Sequence, residues 1–511
     1  MTDSQLPPGL VLWPDDAGTD KRIAVLISDI HCTDCTVGNQ TADETDWKSF
    51  FSELGEMLDD LVAKSGEVLL ILNGDVADLL RSEKWPANCV YPWQRDDPKF
   101  REIVMSIMHD IVERHAREPK IKPRERDSRG QEDKSNSSGF FFYLQQMVKY
   151  LKGKSIRVTL IPIAGNHDKE LQVVPEARVV YYQQCLGLSS TDFSPGYRNW
   201  VAKQMGSDPA DIWPLLPFYF ADPGLRLFAT HGQWRDSTNS RNTQRWTFCQ
   251  GWQPQLWKQE QYRAFSDSCF GDTIASGLLS HFIWSATQAI ERDVRHSVDR
   301  DHILNVLREM DLYRPAASAV VRLLKEAGKL DQRDQNTQLL YQTVINQYHD
   351  SLQSWLAHPE TFSTAPLGNK IALYLVLLLS RPHWVWLDTV LMQMMACVSD
   401  MKKKTPFATL PAFLADYRPL GFRLHAEGHT HVTMEVDLKY SPPQELRNYT
   451  YVNLGAWRNR IVQKFDNMGY RRRSIGRALI VQSSASSDST DSAYGFTLRD
   501  ITSWGDGLDR W

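Results

Sequence analysis

The residues best equipped for chemistry are aspartate, asparagine and histidine side chains gathered in short clusters. Asp29 and His31 are two apart, and Asp75 opens an Asp-Val-Ala-Asp stretch after Gly74. Asn166 and His167 are adjacent, His231 precedes Gly232, and His429 and His431 are again two apart. Carboxylate, amide oxygen and imidazole together suit borderline-to-hard divalent ions such as Mn, Fe, Zn or Co. No thiolate belongs to the set, which argues against a structural zinc finger. The Asp29/His31 and His429/His431 pairs, with Asp75, Asn166 and His231 between them, supply donors enough for two adjacent ions. Two ions about 3.5–4 Å apart can clamp the attacking and leaving oxygens of a displacement at phosphorus, and can lower the pKa of water between them.

The elements that must position these donors are short apolar runs ending at each cluster. Arg22–Ile27, Val68–Leu72, Arg157–Ile163, Leu225–Ala229 and Phe422–Ala426 read as strands, and Tyr449–Asn453 and Ala478–Gln482 as two more. Continuous apolar runs indicate sheets covered on both faces. Asp46–Ala63 carries a 3.6-residue stripe from Trp47 to Val62 and reads as the helix joining the first two strands. Donors just past strand ends match the placement of ligand sites in open α/β sheets. The expectation is a layered α/β fold. Ala116–Ser138, charged and poor in apolar residues, reads as an inserted loop. Trp234–Pro419 is helical in pattern, with one apolar face running from Leu340 to Leu356 and a second amphipathic stretch over Ile303–Leu330. No internal repeat of fixed period is present.

The ordered series Asp-x-His, Gly-Asp-x-x-Asp, Gly-Asn-His-Asp, His-Gly and Gly-His-x-His, from Asp29 to His431, resembles the calcineurin-like metallophosphoesterase superfamily. The resemblance implies a four-layer α/β/β/α core, a β-sandwich flanked by helices, interrupted by a large helical insertion. It implies a core over residues 1–233 and 420–511 and a helical cap over 234–419. It assigns Asp29, His31 and His431 to a first metal, Asp75 to both, and Asn166, His231 and His429 to a second. Two divalent ions are implied, manganese first, with Fe, Zn or Co as the others. His167 takes the place of the family's histidine that assists the leaving oxygen, held by Asp78, while Asp168 caps the next helix. Tyr451–Arg458 resembles the family's closing Asn-x-Gly-small-Trp turn beneath the site.

Departures narrow the branch. Gly-Asp-Val-Ala-Asp-Leu-Leu lacks the Arg-Gly of Ser/Thr protein phosphatases, and Asp168 stands where those enzymes have Glu. His167 stands where bacterial lipid A-pathway pyrophosphatases carry Arg, although Thr230–Asp236 and Asn453–Arg458 lie closer to that branch. The resemblance therefore points to hydrolysis of a phosphodiester or pyrophosphate bond, in a nucleotide or nucleic acid. Two alternatives accompany it: a lipid-linked nucleotide pyrophosphatase, and a subunit that binds a protein partner through its helical insertion.

Composition sets the background. With 511 residues, 42% hydrophobic and 23% charged, the chain is neither disordered, collagen-like nor a disulfide scaffold. Its 58 basic and 62 acidic residues give a net charge of −4, so a nucleic-acid site would need a local basic patch. Candidates are Arg458, Arg460 and Lys464, then Arg471–Arg473, then Lys402–Lys404. Such runs read first as solvated faces, but Arg458 and Arg460 follow the closing turn directly and are the candidate substrate contacts. Cys32 and Cys35 read as free thiols and His425 as a core or supporting histidine. Ile371–Val398, with Trp384 and Trp386, reads as helix packing in the cap. Its longest apolar run, Ile371–Leu379, is far short of the roughly 20 residues of a membrane span. The chain opens without a secretory pattern, so a reducing cytoplasmic setting is expected.

Overall fold

The computed structural model describes residues 10–14, 22–38, 42–62, 66–118, 139–236, 238–241, 266–314, 317–330, 334–379, 421–438, 449–463, 469–482, 496–504 and 508–510. Its strands are β1 Arg22–Ile27, β2 Glu67–Asn73, β3 Arg157–Ile163, β4 Tyr219–Asp222, β5 Leu227–Thr230 and β6 Leu424–Glu427. They continue as β7 Met434–Leu438, β8 Tyr449–Asn453, β9 Ala456–Gln463, β10 Gly469–Gln482, β11 Phe496–Trp504 and β12 Leu508–Arg510.

Burial explains the first sheet. Every residue of β2 is buried, and so is all of β1 beyond Arg22, because their centres, Val68–Leu72 and Ile23–Ile27, are unbroken runs of Val, Ile, Leu and Ala. Such runs suit parallel pairing with both faces covered, and β1, β2 and β3 lie parallel in register, Leu26 opposite Ile71 and Ile71 opposite Ile161. On the other side β10 runs antiparallel to β1, and β9, β11 and β12 pair with β10. The second sheet has the order β4-β5-β6-β8-β7, with β5, β6 and β8 parallel. Side chains of both sheets belong to one apolar core. The fold is thus α/β with two mixed sheets.

The longer helices before the insertion are α1 Glu44–Leu61, α2 Pro98–His115, α3 Phe140–Gly153 and α4 Pro195–Met205. A capping box between Asp43 and Asp46 starts α1, two residues ahead of the expected point. Its buried stripe of Trp47, Phe50, Phe51, Leu54 and Leu58 is the one the sequence spacing describes, each side chain contributing roughly 1.5–3 kcal/mol. Trp457 of the closing turn packs on Trp47 and Phe50 at ring-centroid distances of 4.9 and 4.4 Å.

Within the insertion, α5 His281–Asp293, α6 Val298–Glu309, α7 Ala317–Gly328, α8 Gln335–Ala357 and α9 Leu367–Leu379 gather around a second apolar core. Leu340, Val344, Ile345, Tyr348, Leu352, Trp355 and Leu356 line the buried face of α8, as their spacing requires. Several contacts fasten this layer to the donor-bearing part of the chain, three of them as follows. Lys169 Nζ lies 2.5 Å from Asp272, Ser276 Oγ donates to the Leu80 carbonyl at 2.7 Å, and Arg314 N–H donates to the Ile461 carbonyl at 2.9 Å.

The expected loop over Ala116–Ser138 lies outside the described residues from 119 onward. So do Trp384, Trp386, Lys402–Lys404 and Lys464, and the side chains of Arg471–Arg473. Among the described residues, no helix is long and apolar enough to cross a membrane.

Candidate metal centre

Five of the seven donors leave their strands through tight loops with an unusual backbone. Among the described residues, nine non-glycine residues have positive φ, and five of them are Asp29, His31, Asp75, His429 and His431, at 53–67°. The left-handed region disfavours side chains, Asp and His less than most. Its concentration at one place makes this a candidate site rather than scattered turns. Glycines allow the loops to close on one another. At Gly74, φ is 84° and a Cβ would stand 2.5 Å from the His231 ring; at Gly165 it would stand 2.2 Å from Asp75 Oδ1.

The donors converge. Ligand atoms of Asp29, His31 and His431 lie within 4.8 Å of one another, and so do those of Asp75, His231 and His429. Asp75 joins the two groups: its Oδ2 is 3.1 Å from His231 Nε2 and 3.8 Å from His31 Nε2. His431 Nε2 is 3.5 Å from Asp29 Oδ1 and 3.0 Å from His31 Nε2. The loops are laced together through the same side chains, since His429 N–H donates to the Asp29 carboxylate at 3.0 Å and His167 N–H to Asp75 Oδ1 at 2.8 Å.

Supporting hydrogen bonds settle which ring nitrogen faces inward. His31 Nδ1 lies 3.0 Å from Asp78 Oδ2, and His231 Nδ1 lies 2.9 Å from the Asn73 carbonyl. Both Nδ1 atoms donate, leaving Nε2 as the inward donor atom, the arrangement found in metal-ligating histidines. The other oxygen of Asp78 binds His167 Nδ1 at 2.9 Å. One buried carboxylate therefore orients a candidate ligand and the histidine beside it, whose rings meet edge-on at 4.8 Å.

Burial and crowding perturb these groups. Burial raises Asp29 to about 6, against the pull of His231, and lowers His31 to about 4, against its bond to Asp78. Burial, then the Arg314, His31 and Arg81 charges, holds His431 well below the usual imidazole range. His231 goes the other way: burial disfavours its cation, but the Asp75 and Asp29 carboxylates outweigh burial and lift it to about 10. Burial opposes ionisation of Asp75 and Asp78 as well, and the histidines around Asp75, and His167 and Arg81 beside Asp78, hold both well below the carboxylate range.

The donor set fits cations on three counts. Two imidazole nitrogens face each other at 3.0 Å beside a carboxylate, an arrangement that asks for positive charge between them. Buried carboxylates face a histidine that must otherwise hold a proton for them. Asn166 Oδ1 is buried with no hydrogen-bond partner, and a buried orphaned carbonyl is costly unless something fills its lone pairs.

Other sites depart from expectation. Asp168 caps no helix; its carboxylate accepts from Gly165 N–H at 2.6 Å and Val76 N–H at 3.2 Å, tying two donor loops together. A side chain sunk between two loops finds their amide donors before it can reach the next helix. Arg458, expected at the substrate, is 1% exposed and paired with Asp311 of the insertion, while Arg460 beside it is half-buried. The closing turn points Arg458 inward, where only a carboxylate can satisfy it. His425 is a core residue, 2.8 Å from Glu427 and stacked on Phe228, and Cys32 and Cys35 are free thiols. Asp236 was not anticipated: its carboxylate is 3.2 Å from His429 Nε2. Its signal was its place five residues after His231. Arg81 and Asp311, next to Asp78 and Arg458, carried no motif at all.

No family model, curated protein or solved structure matches the chain.

Proposed function

We propose that this chain is a dinuclear-metal phosphoesterase of the calcineurin-like kind, acting on a phosphodiester or pyrophosphate bond. The observation that carries the reading is the convergence of two donor triads, Asp29/His31/His431 and Asp75/His231/His429, with Asp75 reaching both. Asn166, whose buried Oδ1 finds no partner among the described residues, is the further donor the resemblance assigns to the second. The two sheets sharing one core, with α1 and α3 packed together outside, are compatible with a four-layer arrangement. Two bound divalent ions, manganese being our choice, would supply hydroxide at neutral pH and neutralise charge at phosphorus.

The remaining steps belong to the chain. His31, His231 and His431 hold their donor nitrogens inward, so these residues could hold ions without rearrangement. His167 sits within 4.8 Å of donor atoms of His31 and Asp75, close enough to act on a phosphoryl group held there. Its ring is fixed through Nδ1 by Asp78, so that Nε2 can give a proton to the leaving oxygen. His167, His431 and His429 have side chains 10%, 6% and 12% exposed, whereas His31 and His231 have none, so substrate approaches from the first three.

The test is metal analysis of protein purified with Mn²⁺, alongside hydrolysis of bis-p-nitrophenyl phosphate. The reading requires about two bound ions and turnover in the wild type, with both lost or halved in Asp75→Asn. Turnover of His167→Ala should fall more for a poor leaving group than for p-nitrophenolate. A wild type that binds no ion and is as inert as Asp75→Asn would defeat the proposal. A partner-binding scaffold without turnover predicts that outcome, and the intact donor set speaks against it.

A further inference from the structure

Beside the donor cluster, on its His31 and His431 side, the molecule collects arginines from three separate elements. Arg81 comes from the loop after Asp78, Arg314 from the insertion, and Arg458 and Arg460 from β9. Side chains two apart on a strand share a face, so Arg458 and Arg460 approach from the same side. Among the described residues, the carboxylates that pair with Arg81 and Arg458 are Asp78 and Asp311. Arg81 lies 3.2 Å from Asp78 and 3.9 Å from Asp311, and Arg458 is committed to Asp311. Asp78 is already shared with His31 and His167.

Arg314 is the group left over. Its Nη1 donates to the Asp311 and Tyr313 carbonyls at 2.7 and 2.9 Å, and among the described residues no carboxylate lies within ion-pair distance of it. Its backbone is anchored by the bond to Ile461 and by the bridge between Tyr313 and Ile461, so the guanidinium is held in place rather than trailing into solvent. Burial, then the neighbouring charge of Arg81, depresses it to about 9, the behaviour of a cation missing an anion. The residue is half-buried, so water reaches it. A planar guanidinium beside a second one, rigid and partly dry, is the usual receptor for a phosphate group.

We infer that Arg314 and Arg81, with Arg460 alongside, form an anion subsite next to the donor cluster that takes the non-reacting phosphoryl group of the substrate. This rests on the phosphoesterase reading for its meaning and deepens it: the substrate class becomes one with two phosphoryl groups, a diphosphate diester rather than a simple phosphodiester. Arg458 has a supporting part, holding Asp311 so that this carboxylate does not neutralise Arg314 completely.

Inorganic pyrophosphate is the probe, titrated calorimetrically into the full chain with a chelator present. Wild type should bind it saturably, and Arg314→Gln should weaken binding at least tenfold, while Arg101→Gln, an exposed arginine on α2 paired with Glu176, should not change it. Equal affinity in wild type and Arg314→Gln, or no saturable binding by wild type, overturns the subsite. If Arg314→Gln folds poorly, hydrogen exchange of the wild type decides. Pyrophosphate should slow exchange at residues 311–314 and 458–461, and unchanged exchange there overturns the proposal. These measurements read neither metal nor turnover, so their failure removes the subsite alone, while loss of metal binding and hydrolysis would remove the phosphoesterase reading.

Discussion

Replacing Lys169 by Met should destabilise the join between the Asn166 loop and the insertion far more than an ordinary surface change. Lys169 is 1% exposed and Asp272 is fully buried, with Nζ 2.5 Å from Oδ2. At an effective dielectric of about 20, charges this close attract by roughly 6 kcal/mol before desolvation is subtracted. Without the ammonium, among the described residues the Asp272 carboxylate keeps the Cys269 N–H at 2.8 Å and the Cys269 thiol at 3.2 Å. An uncompensated buried charge of this kind costs about 3–5 kcal/mol. Replacing both partners by apolar residues, as in Lys169→Met with Asp272→Leu, removes the orphan and should recover most of that loss. A chain with two apolar cores need not melt in one step, so hydrogen exchange over residues 166–173 and 267–276 is the better readout beside the thermal midpoint. Local exchange should accelerate at least a hundredfold in Lys169→Met and return towards wild type in the double variant. A single variant costing less than about 1 kcal/mol, or a double variant as unstable as Lys169→Met, would refute the argument.

Three further outcomes follow from other sites. Gly165→Ala places a Cβ 2.2 Å from Asp75 Oδ1, so the carboxylate must shift; metal analysis should show at most one bound ion per chain while the far-ultraviolet circular dichroism is retained. Asp78→Asn loosens both His31 and His167, and should weaken metal binding by about 10–100-fold, read by titration with Mn²⁺; an unchanged affinity counts against the orienting role. Glu170 is buried, its carboxylate finds no hydrogen-bond partner on any other described residue, and burial raises it to about 7, with Lys169 and Arg95 opposing and Asp272 reinforcing. A raised carboxyl contributes stability fully below the unfolded pKa of 4.5 and loses it as pH climbs to about 7, a decline of about 3 kcal/mol. Glu170→Gln should therefore melt progressively higher than wild type as pH rises from 5 to 7.5, and parallel profiles would contradict this.

What could be read from the chain was whatever announces itself locally. The all-apolar β1 and β2, the stripe of α1 and the buried face of α8 each carry a period strong enough to name the element. The donors were legible because the loops that present them need small and polar residues at fixed offsets, as in Gly74-Asp75 or Gly428-His429. Strands β7 and β9 were not, since Met434–Leu438 alternates with acids and Ala456–Gln463 is broken by arginines. Their strand character comes from pairing with β8 and β10, which no short window contains. The same holds for Asp236 with His429, and for Arg81 and Arg458 with Asp311. These pairings join residues roughly 150 to 230 positions apart and are decided by how the insertion docks, and the inward turn of Arg458 follows from that docking.

The five left-handed donors carry a meaning of their own. At Asp29, His31, Asp75, His429 and His431 a glycine would relax the backbone, and left to stability alone these positions would drift towards it. Holding aspartate and histidine there at a standing penalty is what the proposed donor role of these side chains would require. The backbone torsions thus support the proposed donor role on grounds separate from any motif.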